Sequence, residues 1–146
     1  MPRNLRNKNF KQGRSLLIRL DHGSDIIAEM TEIAGNLEIA TGVFSAIGAL
    51  SSAELGHYDQ VKHEYGKIQV EKPVELVSFS GNISARDGQP FVHAHAVLAD
   101  RDGKVLGGHL MKGCVFAAEV HLQELLGQPL VRVHDPTTGL KLWGEE

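Results

Sequence analysis

The stretch PFVHAHAVLADRDGKVLGGHL, residues 90–110, reads as two apolar strands around a polar turn and carries three of the chain's eight histidines. Side chains alternate across a strand, so His93 and His95 project from one face. The turn decides whether His109 joins them. A three-residue loop, Arg101 to Gly103, combines a type I turn with a left-handed glycine and closes Asp100 against Lys104. It sets His95 opposite His109 and Leu98 opposite Leu106. A two-residue loop, Asp102 and Gly103, closes Arg101 against Lys104 and turns His109 to the other face. A bulge at Gly107–Gly108 would bring it back. The spacing admits both arrangements.

If the three imidazoles meet, a divalent metal is their natural occupant. Neutral imidazole is a common zinc ligand, and three of them leave a fourth position for water, substrate or a partner side chain. Otherwise the three are half-buried sheet histidines bonded to backbone or solvent. The pattern alone does not choose between these.

Outward from this hairpin, the period changes only once. In GSDIIAEMTEIAGNL, the residues Ile26, Ile27, Met30, Ile33, Ala34 and Leu37 recur at steps of three and four, which predicts an amphipathic helix. Ser24 is the expected N-cap, Asp25 and Glu29 suit the positive end of the helix dipole, and Gly35 is the expected point of fraying. Strands are predicted for SLLIRL (15–20), for GVFSAIGAL and SAELGHYD as two strands about a bend, and for KIQV. PVELVSFSGNISA, FVHAHAVLA and KVLGGHLMK read as further strands, and CVFAAEVHLQEL as a strand or a helix, its alternation through Val115, Ala117, Val120 and Leu122 favouring a strand. One helix followed by strands on short turns predicts an α+β protein with a mainly antiparallel sheet of about seven strands.

The 146 residues fit one domain (14–143) between a basic N-terminal arm (1–13) and a short tail (144–146). With 42% hydrophobic and 23% charged residues, the composition is that of a globular chain rather than a disordered one. The single cysteine, Cys114, excludes an intrachain disulfide framework and suits a reducing cytoplasm. No secretory leader is read, and the apolar runs fall short of the roughly 18 residues that span a bilayer.

The net charge of −3 offers no global attraction to nucleic acid. Its distribution is uneven, because Arg3, Arg6, Lys8, Lys11, Arg14 and Arg19 precede any acidic residue. Such an arm can contact phosphates or simply be a solvated leader.

The segments LDHGSDI, GVFSAIGALSSAELGHYD, VELVSFSGNIS, HAHAVLADRDGKVLGGHL and DPTTGLKLW resemble, in order and over roughly residues 14–143, a stand-alone prokaryotic member of the plant and prokaryote conserved (PPC, DUF296) domain family. The resemblance implies an antiparallel sheet flanked by helices, a homotrimer, and a metal, taken to be zinc, on His93, His95 and His109. In plants the domain follows an AT-hook in DNA-binding proteins. The arm here contains QGRS but no Arg-Gly-Arg core of the kind that enters an A·T minor groove, so DNA binding rests on fold-level analogy.

Other polar residues carry weaker signals. His57, Tyr58, Asp59 and His63 suit a strand end and turn, or a pocket wall. Asp21 and His22 suit a turn and cap. Glu54, Glu75 and Glu119 each lie in an apolar stretch, and a glutamate beside a metal can act as a general base, but none is singled out and no catalytic residue is assigned. Cys114 lacks an activating partner and reads as an inert thiol. Three functions follow in order: a metal-binding homotrimer that is regulatory or DNA-associated; a small zinc-dependent enzyme acting on a small molecule; an oligomerisation scaffold with a structural metal.

Overall fold

Two long strands, whose buried positions alternate in runs separated by register shifts, organise the chain. The computed structural model describes residues 8–145. Its elements are β1 (Lys11–Arg19), α1 (Ile26–Asn36), β2 (Gly42–Asp59), β3 (Glu64–Val70), β4 (Val74–Arg86), β5 (Gln89–Ala99), β6 (Val105–Leu126), β7 (Val131–His134) and β8 (Lys141–Gly144). The fold is α+β and mainly antiparallel, as the pattern predicts, with eight strands and one helix among the described residues. The exception to the antiparallel rule is β4–β7, joined in parallel through Ala85 and Val131.

The strand pairs β2–β6, β6–β5, β5–β4 and β4–β2 return to their start, so four strands close a ring. Register shifts in β2, between Ala46 and Gly48 on one edge and around Leu50 on the other, bend the strand enough for closure. Inside the ring lie Phe79, Ile83, Leu76, Leu98, Leu110, Val115 and Leu122, all nearly inaccessible, and Phe44 stacks on Phe79 at 5.2 Å. The helix contributes Ile26, Met30 and Ala34 to this core, spaced four residues apart as one buried stripe.

Several local expectations need correction. GVFSAIGAL and SAELGHYD form the single strand β2, and KVLGGHLMK and CVFAAEVHLQEL the single strand β6. Bulges absorb the bend without ending the ladder. The first strand begins four residues before Ser15: Lys11 and Gln12, inside the basic arm, already pair with Leu126 and Leu125. Asp25, not Ser24, caps the helix. One carboxylate oxygen of Asp25 accepts from Ala28 N at 2.9 Å, and the other from Gly113 N at 2.8 Å, so a single residue caps the helix and ties it to β6. Ser24 spends its hydroxyl on Asp21 O and the Glu29 carboxylate. The helix passes Gly35 and ends at Asn36.

Candidate metal centre

The β5–β6 turn takes the three-residue form. Asp100 N donates to Lys104 O at 2.9 Å, and Gly103 adopts φ +78°, the left-handed conformation this loop requires at its last position. The Asp100 side chain locks the loop by accepting from Asp102 N and Lys104 N at 2.9 and 3.0 Å. Pairing then runs unbroken from Ala99–Val105 through Leu98–Leu106 to His95–His109, without a bulge at Gly107–Gly108.

Alternation does the rest. Val92, Ala94, Ala96 and Leu98 face the core, so His93 and His95 face outward beside His109. A closely placed neighbour helps: Gly81, opposite Ala94, has no Cβ, and one there would overlap the carbonyl oxygen of His93.

The three rings converge, with centroids 5.2–5.5 Å apart. One nitrogen from each lies within 4.8 Å of the others, and among the described residues these three form the one such group of potential ligands. Nε2 of His93 and Nε2 of His95 are 3.3 Å apart. Two nitrogens bonded tetrahedrally to one zinc ion at about 2.0–2.1 Å stand roughly 3.3 Å apart, so this pair already has ligand spacing. Small ring rotations take up the wider separations. Nδ1 of His109 is buried without a hydrogen-bond partner. Buried polar nitrogens are ordinarily satisfied, so an orphan in this position fits a ring that belongs to a metal centre.

Electrostatics favours lone pairs over protons here. Burial, then the charge of Arg132 and the neighbouring rings, lowers the His93 pKa to about 4. Burial and the same neighbours lower that of His109. Both rings are therefore neutral at pH 7 and able to ligate a cation.

Arg132, on β7, was not singled out in the sequence, yet it forms the back wall. Its Nη2 donates to Asn82 Oδ1 at 3.0 Å and stands 3.4 Å from His93 Nδ1. Its Nε donates to Ser84 Oγ and its Nη1 to Lys141 O. The guanidinium lies between Phe91 and Trp143, 5.2 and 5.5 Å from their ring centres. Tyr65 forms the opposite wall, 5.2 Å from His109. Its ring leans across Gly56, where a Cβ would come within 3.0 Å of it.

The remaining candidates are structural. Asp59 accepts from Val61 N and Lys62 N and holds the β2–β3 turn, while Tyr58 stacks between Tyr65 and His63 and donates to Thr138 O. The Asp21 amide donates to the Glu29 carboxylate, and the His22 ring meets Phe116 O. Glu54 is engaged by Gln69 and Lys67. Neither it nor Glu75 nor Glu119 joins the histidine group. Cys114 is partly exposed, its Sγ 4.0 Å from Gly23 O.

Comparison with known proteins places this geometry in context. The family described as the Plants and Prokaryotes Conserved (PCC) domain matches residues 7–126. Among solved structures, a metal-containing protein from Archaeoglobus fulgidus is 42% identical with TM-score 0.93, covering 97% of this chain and 100% of that one. A plant- and prokaryote-conserved protein from Pyrococcus horikoshii is 37% identical with TM-score 0.92, covering 97% and 99%. One from Ralstonia eutropha JMP134 is 27% identical with TM-score 0.80, covering 89% and 90%. The bifunctional protein GlmU of Synechococcus sp. (strain JA-3-3Ab) is 34% identical over 125 residues, 84% of this chain. The chain spans only about a fifth of the length of the GlmU proteins it matches (19% and 18%).

Proposed function

Because the chain belongs to the Plants and Prokaryotes Conserved domain family, we propose that it is a metal-binding, homotrimeric domain protein that is regulatory or DNA-associated, its metal being zinc. The observation that carries the metal reading is the convergence of His93, His95 and His109 within 4.8 Å. The donor set fits zinc: three imidazoles, with room for a fourth ligand. The Archaeoglobus relative, described as metal-containing, supports the same reading. When bound, the ion supplies a Lewis-acidic centre. His93 and His109 contribute half-buried lone pairs, His95 guards the exposed side, and Arg132 holds Asn82 and the back of His93 in place.

Trimer formation is supported by an apolar groove on the outside of the ring. Leu17, Ile47 and Val77 line it and are 87%, 61% and 50% exposed. Apolar side chains gathered in one place on a surface mark an interface. The DNA role has its support in the Ralstonia relative, named as a candidate DNA-binding protein. The contact would be weak and carried by the basic arm. A small zinc-dependent enzyme is the second reading, favoured by the exposure of His95, which leaves a bound ion one open side.

Metal analysis of untagged protein tests the central claim. About one zinc per chain is expected after dialysis, with loss of that zinc in a His95→Ala, His109→Ala double variant. Unchanged metal content in the double variant would overturn the site.

A further inference from the structure

We propose that the histidine cluster, with its divalent ion, takes a small oxyanion as fourth ligand, a carboxylate in the simplest case, and that Arg132 is the fixed charge that selects it. The inference rests on the metal reading above and adds the class of ligand.

Two independent observations lead to an anion. The first is the donor set. Imidazole ligands bring no negative charge and leave both positive charges of a divalent ion uncompensated, and among the described residues no carboxylate belongs to the group. Half-buried cations without a counter-charge are costly, so the ion favours an anion at its open position.

The second is Arg132. Its hydrogen-bond partners are a hydroxyl, a backbone carbonyl and an amide oxygen, all neutral, and the fourth contact is the His93 ring. Among the described residues it forms no ion pair. The acidic residue of the adjoining β4–β5 turn, Asp87, is paired with Lys141 at 3.1 Å and Arg86 at 3.9 Å. An arginine is permanently charged, and this one is held by Phe91, Trp143 and four polar contacts. It cannot swing out to find a counter-ion.

A third positive charge therefore stands 3.4 Å behind a ligand of the proposed ion. Alone, it weakens metal binding. An anion on the ion is attracted by both charges, so metal and anion must tighten each other's binding by the same factor. Ser80 and Asn82, opposite His95 and His93 on β4, offer neutral polar groups beside the ligands. With four of its five N–H groups turned to neighbours, Arg132 acts as a fixed charge rather than a two-pronged clamp, which suits a small monoanion over a larger polyanion.

The test uses the untagged full chain loaded with cobalt(II) in chloride-free buffer, read by the visible d–d absorption of the bound ion. Acetate should produce a saturable spectral change and should tighten cobalt binding in a chelator competition. Acetamide, the uncharged analogue, should do neither at the same concentrations. Arg132→Gln should keep cobalt and weaken acetate by about tenfold, the size of a screened attraction between a fixed charge and an anion that it does not touch, while Arg132→Lys should stand between the two. Absence of a d–d band overturns the metal reading and this inference with it. A band that acetate leaves unchanged, or that acetamide moves equally, overturns this inference alone. If R132Q cannot hold cobalt, Arg132 positions His93 and its role as anion selector is overturned. Inorganic phosphate binding in preference to acetate would keep the oxyanion class and overturn the carboxylate.

Discussion

His95 and His109 face each other directly across β5 and β6, at the last paired position of that ladder. The pair is held in register by a turn only three residues long, and the same register places Leu98 against Leu106 and Leu110 in the core.

Deleting Asp102 should therefore cost both metal and stability. A two-residue Arg101–Gly103 turn needs a positive φ at arginine, so the shortened chain keeps the three-residue form by looping Asp100, Arg101 and Gly103. Ala99 then closes against Lys104, β6 shifts by one position against β5 and His109 moves to the opposite face. Leu110, 2% exposed, would be drawn outward with it. Retention of β2–β6 pairing opposes the slip, so we expect a folded but less stable chain, lower in stability by about 2–5 kcal/mol, the range for losing one buried leucine. Metal analysis and thermal melting check both parts, and full metal content in the deletion would contradict the role of the register.

Glu124 gives the chain a specific acid sensitivity. The Arg14 guanidinium and backbone amide hold its carboxyl down to about 2, through bonds of 2.8–2.9 Å. A carboxyl with a lowered folded pKa stabilises the fold at pH values above its unfolded pKa of about 4.3, and that contribution is lost as pH falls through the folded value. Arg14→Met should therefore lower the melting temperature at pH 7. The gap to the natural chain should shrink between about pH 4.5 and pH 2. A gap independent of pH over that window would remove the ion pair as its cause.

Assembly should depend on the groove lined by Leu17, Ile47 and Val77. Light scattering should return three times the 15.9 kDa chain mass for the natural sequence. Ile47→Asp should give a monomer with an intact fold, because a side chain 61% exposed contributes little to the isolated chain. A trimer that survives this substitution uses another surface.

DNA contact, if made by the arm, should be steep in salt. Each phosphate neutralised adds about −0.9 to the slope of log affinity against log salt concentration. Three arms on one trimer would raise apparent affinity through effective concentration. Arg3 and Arg6 lie outside the described residues. Arg14 is committed to Glu124, and Lys8 donates to Pro129 O. The informative truncation removes residues 2–7, sparing the paired backbone of Lys11 and Gln12. Loss of weak, sequence-independent binding is expected. Sequence-specific binding that persists would mean that the folded surface reads DNA.

Much of this protein is written in periodicity. The two-residue alternation in residues 91–98 determines a strand and sends His93 and His95 to one side. The three- and four-residue steps from Ile26 determine the helix and its buried stripe. These are local properties, set by backbone geometry and the avoidance of water by apolar side chains. The register of the β5–β6 hairpin was not local in this sense. Both loops satisfy the residues 100–104, and the choice follows from Leu106 and Leu110 entering the core. The same holds for Asp25, whose preference over Ser24 as cap depends on Gly113, 88 residues away. Arg132 reaches His93 from a strand that pairs with β4 through one position, so no spacing along the chain announces it. Alternation assigns a side chain to a face; only the closed ring of strands decides which neighbours that face will have.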